Sequence, residues 1–301
     1  MGMESGVRSS TQETGPRPTA VPGVGVQSVR QPAFGSGIVV SLIVFGLVLV
    51  LAIAALGDAD GDRIPLLQTT NALYWGLAVI VVLVAAIGAQ YAERNAAQAA
   101  AAVGHPRPET AMATAWAVPA VATLAAVLLV ATYHNGLMLL VGPLIALFGT
   151  AGALLSRDLL DDAGDTTHRT ATVIHTFVIH AIAFLALGAI YYNKLPTWLS
   201  APFVGLVGGV LILETLERGI IAPPRRVFYA LLGGGAMAEA MVAVNWWQTH
   251  GWSGGAVLLV CFYLTAGVLL ARSQRSRIRS RDLVEFGLVS LVAYVVLAAT
   301  A

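Results

Sequence analysis

Long apolar runs separated by short polar breaks occupy this chain from residue 36 to its end. Nine runs stand out, at 36–56, 69–92, 110–133, 136–155, 169–192, 197–215, 227–248, 252–271 and 283–301. Each has about 18–25 residues, the length of helix that crosses about 30 Å of hydrocarbon. The alternating pattern of a β-barrel is absent. Backbone groups in lipid must be hydrogen-bonded within their own segment, so such runs predict helices. The expected fold is all-α, a polytopic transmembrane helix bundle with nine spans. Short breaks predict antiparallel neighbours. Pro119 and Pro143 fall inside the third and fourth runs, where each predicts a kink.

Charge gives this pattern a direction. When alternate breaks are assigned to the same side, fifteen of the 17 Lys and Arg residues collect on one side, and only Arg63 and Lys194 fall on the other. Cytoplasmic loops carry such an excess, so the N-terminus is expected inside and the C-terminus outside. Residues 1–35 are rich in Gly, Pro, Ser and Thr without an apolar period, and are expected to form a disordered cytoplasmic tail. Helices one to four occupy 36–155, an acidic cytoplasmic loop 156–168, and helices five to nine 169–301. Ala52-Ile53-Ala54 resembles a signal-peptide cleavage site, but the first run exceeds the usual apolar length of a signal peptide and is expected to be retained.

Composition narrows the class further. A mean hydropathy of +0.78 and 57% apolar residues exclude an ordinary soluble domain. The arginines follow the topology and form no basic patch, so no nucleic-acid partner is expected. The expected surroundings are the lipid bilayer of a bacterial inner membrane, with other membrane proteins as partners. The single cysteine, Cys261, excludes an intrachain disulfide and any Cys-based metal or c-type haem motif.

Several polar groups are candidates for chemistry. Asp58, Asp60 and Asp62 surround Gly61 like the start of a calcium loop, but Thr69 stands where a bidentate Glu is needed. A solvated acidic turn is the competing reading. Asp161, Asp162 and Asp165 have a spacing that can hold magnesium and a diphosphate. With nine runs and about 300 residues, the chain resembles intramembrane prenyltransferases of the UbiA type in gross form. That family carries two aspartate-rich motifs, after its second and sixth helices. The corresponding breaks here read Glu93-Arg94-Asn95-Ala96 and Glu217-Arg218-Gly219-Ile220, without aspartate.

His175 and His180 lie in the fifth run, five residues apart. A helix turns them about 140° from each other, so they cannot share one ion. Each could separately ligate a haem or chlorin, or pack as a hydrogen-bonded core residue. Glu214 and Glu217 end the sixth run; Glu217 is expected to pair with Arg218, while Glu214 lies at a depth that could reach His175. Glu239 falls near the middle of the seventh run. A carboxyl at that depth is costly and marks a pathway or a buried partner. It is expected to face the bundle interior with His180 as partner and Tyr263 as the alternative. Asn245 is a further intramembrane polar candidate. Gly205 with Gly209, and Gly251 with Gly255, have the spacing of close helix contacts.

From about His168 onward the chain resembles an uncharacterised family of bacterial multi-span membrane proteins, a domain of unknown function. Leu195-Pro196, Leu213-Glu214-Thr215-Leu216-Glu217, Tyr229-Ala230-Leu231-Leu232, Asn245-Trp246 and Phe262-Tyr263 carry the resemblance. It implies no activity. No catalytic site is recognisable, so the leading expectation is a subunit or scaffold of a membrane assembly. The alternatives are a small-solute or proton-coupled transporter using Glu239 and His180, and a prenyl or lipid-phosphate transferase using the loop from Asp161 to Asp165.

Overall fold

The computed structural model describes residues 30–57, 72–102, 104, 114–161, 165–217, 221–247, 251–274 and 280–300. Among them are nine helices and no strand: α1 (Arg30–Gly57), α2 (Ala72–Ala102), α3 (Ala117–Tyr133), α4 (Met138–Asp161), α5 (Asp165–Tyr192), α6 (Thr197–Leu216), α7 (Pro223–Trp246), α8 (Ser253–Gln274) and α9 (Ser280–Thr300). Seven are long and apolar enough to cross a membrane. The two shorter apolar helices are α3 and the stretch Val284–Leu297 of α9. The protein is a multi-span helical membrane protein.

Sequential helices alternate in direction. At one end, Tyr74 near the start of α2 donates to the Val127 carbonyl of α3 at 2.9 Å. Asn193, just beyond α5, donates to Thr132 at 2.8 Å, and Trp252 before α8 donates to the Tyr133 hydroxyl at 2.7 Å. Asn245 near the end of α7 donates to Thr197 and Ser200 at the start of α6, at 3.1 Å each. The opposite, arginine-rich end gathers the end of α2 and the start of α3 with the ends of α4 and α6 and the first half of α5.

The helix at the centre is α3. Fourteen of its 17 residues are buried, almost all Ala, Val and Leu, and it touches α1, α2, α4, α5 and α6. A helix buried all round needs no polar face, and its alanines let neighbours approach on every side. Pro119 lies in the first turn of α3, where a missing N–H leaves no intrahelical bond unmade. The kink expected there therefore has no cause, whereas Pro143 does sit inside α4.

Glycines set two close contacts. A Cβ on Gly234 of α7 would lie 2.7 Å from the Gly205 carbonyl of α6, and one on Gly209 would lie 3.2 Å from the Ala230 carbonyl. The Gly205–Gly209 pair thus brings α6 against α7. Between α5 and α8 the close pair is Gly188 with Gly255. Gly251 instead turns the chain before α8, with φ +55°.

Candidate functional site: a buried ion cluster at the arginine-rich end

Arg157 is helical because α4 runs on to Asp161. It continues the face of Ala146, Thr150 and Ala153, each fully buried, so its side chain enters the bundle instead of the aqueous loop. Only 8% of Arg157 is exposed. A guanidinium stays charged when buried and needs anionic acceptors. Both come from α6. The Arg157 Nη1 lies 2.5 Å from Glu214 Oε1 and Nη2 lies 2.9 Å from Glu217 Oε2. Thr114, just before α3, donates its hydroxyl to Glu217 Oε2. Glu217 pairs with Arg157; Arg218, the neighbour expected to pair with it, lies outside the described residues. Burial raises the Glu217 carboxyl above the usual range, and Arg157 opposes that shift.

The cluster extends to α5 and α2. His175 Nε2 lies 3.3 Å from Glu214 Oε1. Its Nδ1 lies 2.6 Å from the Ser156 hydroxyl, which also reaches the Ala153 carbonyl at 3.0 Å. Both ring nitrogens are thus engaged by protein atoms, an arrangement unlike that of a haem ligand. Glu93 of α2 is buried and its charge acts on Arg157. Glu214 Oε2 and Glu217 Oε1 are buried without a hydrogen-bond partner among the described residues. Among the described residues no group of three or more His, Cys, Asp or Glu side chains could hold a metal ion.

The arginine-rich end thus contains a buried polar centre. Arg157, Thr114, Ser156 and Glu93 were not singled out from the sequence. The available signal was a run of small residues at helical spacing ending in a charge: Ala146, Thr150, Ala153, Arg157 in α4, and Ala85, Ala89, Glu93 in α2.

The structure contradicts the expectation that Glu239 faces the interior. The buried face of α7 carries Ala230, Gly233, Met237, Met241 and Val244. Glu239 follows Met237 by two residues, about 200° around the helix, and is exposed. Gly235, one turn earlier, is likewise open on its Cβ side. Glu239 has no hydrogen-bond or ion-pair partner among the described residues and does not meet His180. His180 bonds through Nδ1 to the Thr176 carbonyl of its own helix at 2.8 Å, with its ring 5.4 Å from Phe262 and 6.0 Å from Tyr263. Tyr263 packs on Phe286 of α9. Asn245 ties α7 to α6, as described above. Asp58, Asp60, Asp62 and Asp162, and the side chains of Asp161 and Asp165, lie outside the described residues.

A groove of about 410 Å³ between α4 and α5 is lined by Val141, Phe148, Phe177, Ile182 and similar residues without a polar side chain. It provides volume but no chemistry, so the ion cluster is the candidate site. No curated protein and no solved structure matches the chain. A family model described as a protein of unknown function, DUF5656, matches residues 60–300. That match takes in eight of the nine helices and most of the chain, so the protein belongs to this family of uncharacterised proteins.

Proposed function

We propose that this protein is a non-enzymatic subunit of a membrane assembly, with its arginine-rich end in the cytoplasm, and that α7 carries the docking face. The observation behind this reading is Glu239. It lies about two-thirds of the way along the apolar helix α7, faces outward and has no partner among the described residues. A carboxyl facing hydrocarbon at that depth costs on the order of 3 kcal/mol on insertion scales. Gly235 and Ala243 flank it on the same face, with Phe228 and Trp246 at the two ends. Small residues around one polar side chain suit a partner helix that supplies a hydrogen-bonding group at that depth. The transporter reading built on Glu239 and His180 lacks the contact it requires.

The test is native mass spectrometry of gently solubilised protein, combined with a photocrosslinker at Ala236. The expected result is a crosslink to another protein chain or a second copy, lost in Glu239→Leu. Crosslinks to lipid alone, with a monomer in every mild detergent, would reject the reading. The sidedness is tested separately. A C-terminal reporter active only in the cytoplasm should stay silent.

A further inference from the structure

The contacts around His175 accommodate two protonation states without moving a heavy atom. His175 Nε2 lies 3.3 Å from Glu214 Oε1, within ion-pair reach. In the neutral imidazole, the Ser156 hydroxyl donates to Nδ1 at 2.6 Å. Adding a proton at Nδ1 reverses that bond. Nδ1–H now donates to Ser156 Oγ, and the Ser156 hydroxyl rotates to donate to the Ala153 carbonyl at 3.0 Å. The Nδ1 side of the ring is satisfied in both states. A hydroxyl is the one group that can do this, since it both donates and accepts.

The surrounding charge supports a second cation. Among the described residues, α2 presents Glu93, α4 presents Arg157, and α6 presents Glu214 and Glu217. Near the cluster α3 contributes Thr114, which is uncharged. Of the remaining neighbours, α8 has only Arg272, which is exposed. His168 and Arg169, on α5 itself, are exposed as well. Glu214 and Glu217 both pair with Arg157, and the charge of Glu93 acts on it as well. Two carboxylate oxygens, Glu214 Oε2 and Glu217 Oε1, are buried and accept no hydrogen bond from the described residues. An imidazolium at His175 would add a positive charge directly beside the Glu214 carboxylate.

We propose that His175 is a reversible proton-binding site, in which Ser156, Glu214 and Arg157 hold the imidazole in both of its protonation states. The proton comes from water at the arginine-rich end and returns there. An O–H bond of hydronium breaks as the N–H bond forms, and release reverses both changes. The site does not depend on α7 docking, so it stands or falls separately from the assembly reading.

The experiment uses the full chain in nanodiscs with ¹⁵N-labelled histidine. The signal of His175, one of six histidines, is assigned by its loss in His175→Gln. Its ring nitrogens are followed through about pH 5 to 8. The expected result is reversible conversion between a neutral imidazole and an imidazolium within that range. Glu214→Gln should lower the midpoint by about one unit, a tenfold loss of proton affinity. Ser156→Ala, which removes only the hydroxyl, should lower it by a smaller amount and serves if Glu214→Gln does not fold. A His175 locked in one state across the range would overturn the proposal. So would a midpoint unmoved by either variant.

Discussion

Glu214 and Glu239 lie on adjacent helices, and their environments are opposite. Glu214 stands near a helix end, where the sequence suggests an interfacial carboxylate, yet it is 2% exposed and bound to Arg157 and His175. Glu239 stands well inside its apolar run, where the sequence suggests burial, yet it faces outward without a partner among the described residues. The contrast shows that depth along a membrane helix and rotation about its axis are separate variables. Depth is set by distance from the ends of an apolar run. Rotation is set by which neighbours pack on which face, and lipid makes both faces apolar. A carboxyl inside the bundle finds its partner within the chain, whereas one on the outside needs a partner from another chain.

The largest effect that can test this comparison is at Arg157. Arg157→Met removes the guanidinium that pairs with Glu214 and Glu217 among the described residues and leaves both carboxylates without it. The variant should lose about 3–5 kcal/mol of stability, measured by unfolding in mixed micelles. A stability equal to the parent's would mean that water reaches the cluster freely.

Next comes a pair of adjacent glycines. Gly234→Ala places a Cβ 2.7 Å from the Gly205 carbonyl, so α6 and α7 must move apart, at a cost of about 1–3 kcal/mol. Gly235→Ala meets nothing within 4 Å and should keep the stability or gain up to about 1 kcal/mol from helix propensity. Thermal unfolding of both variants under one condition checks the sign. Equal losses would refute the assigned rotation of α7.

Asn245→Ala removes two bonds from α7 to α6. Interhelical hydrogen bonds in membranes average about 0.6 kcal/mol, so the loss should be of that order. A double-mutant cycle with Ser200→Ala isolates the pair. The smallest effect on the bundle is expected from Glu239→Leu. The stability of the isolated chain should fall by no more than about 0.5 kcal/mol, while association through α7 is lost. A large loss from the monomer would place Glu239 in a contact of the chain itself.

Several features of the site were accessible from the sequence. Glu214 and His175 share a depth because α5 and α6 run in opposite directions through comparable lengths. Their nearness at one end therefore follows from run boundaries alone. Arg157 was counted with the loop arginines because its apolar run ends at residue 155, although the helix continues. The side chain is drawn inward by Glu214 and Glu217, nearly sixty residues later. No local pattern reports a partner so distant. His180 and Glu239 matched in depth but not in rotation, and so their pairing was not realised.

The sequence by itself determined the number and direction of the helices, the grouping of arginines at one end and membership in a lipid-embedded class. Each of these follows from run length and charge, which are local and additive. Only the tertiary structure decided that α3 is the hub, that Arg157 turns inward and that Glu239 turns out. Those choices depend on which small residues let helices approach, Gly234 on Gly205 and Gly255 on Gly188. In a chain whose helices are apolar on every side, packing fixes the rotation of each one. Rotation in turn decides which polar groups meet.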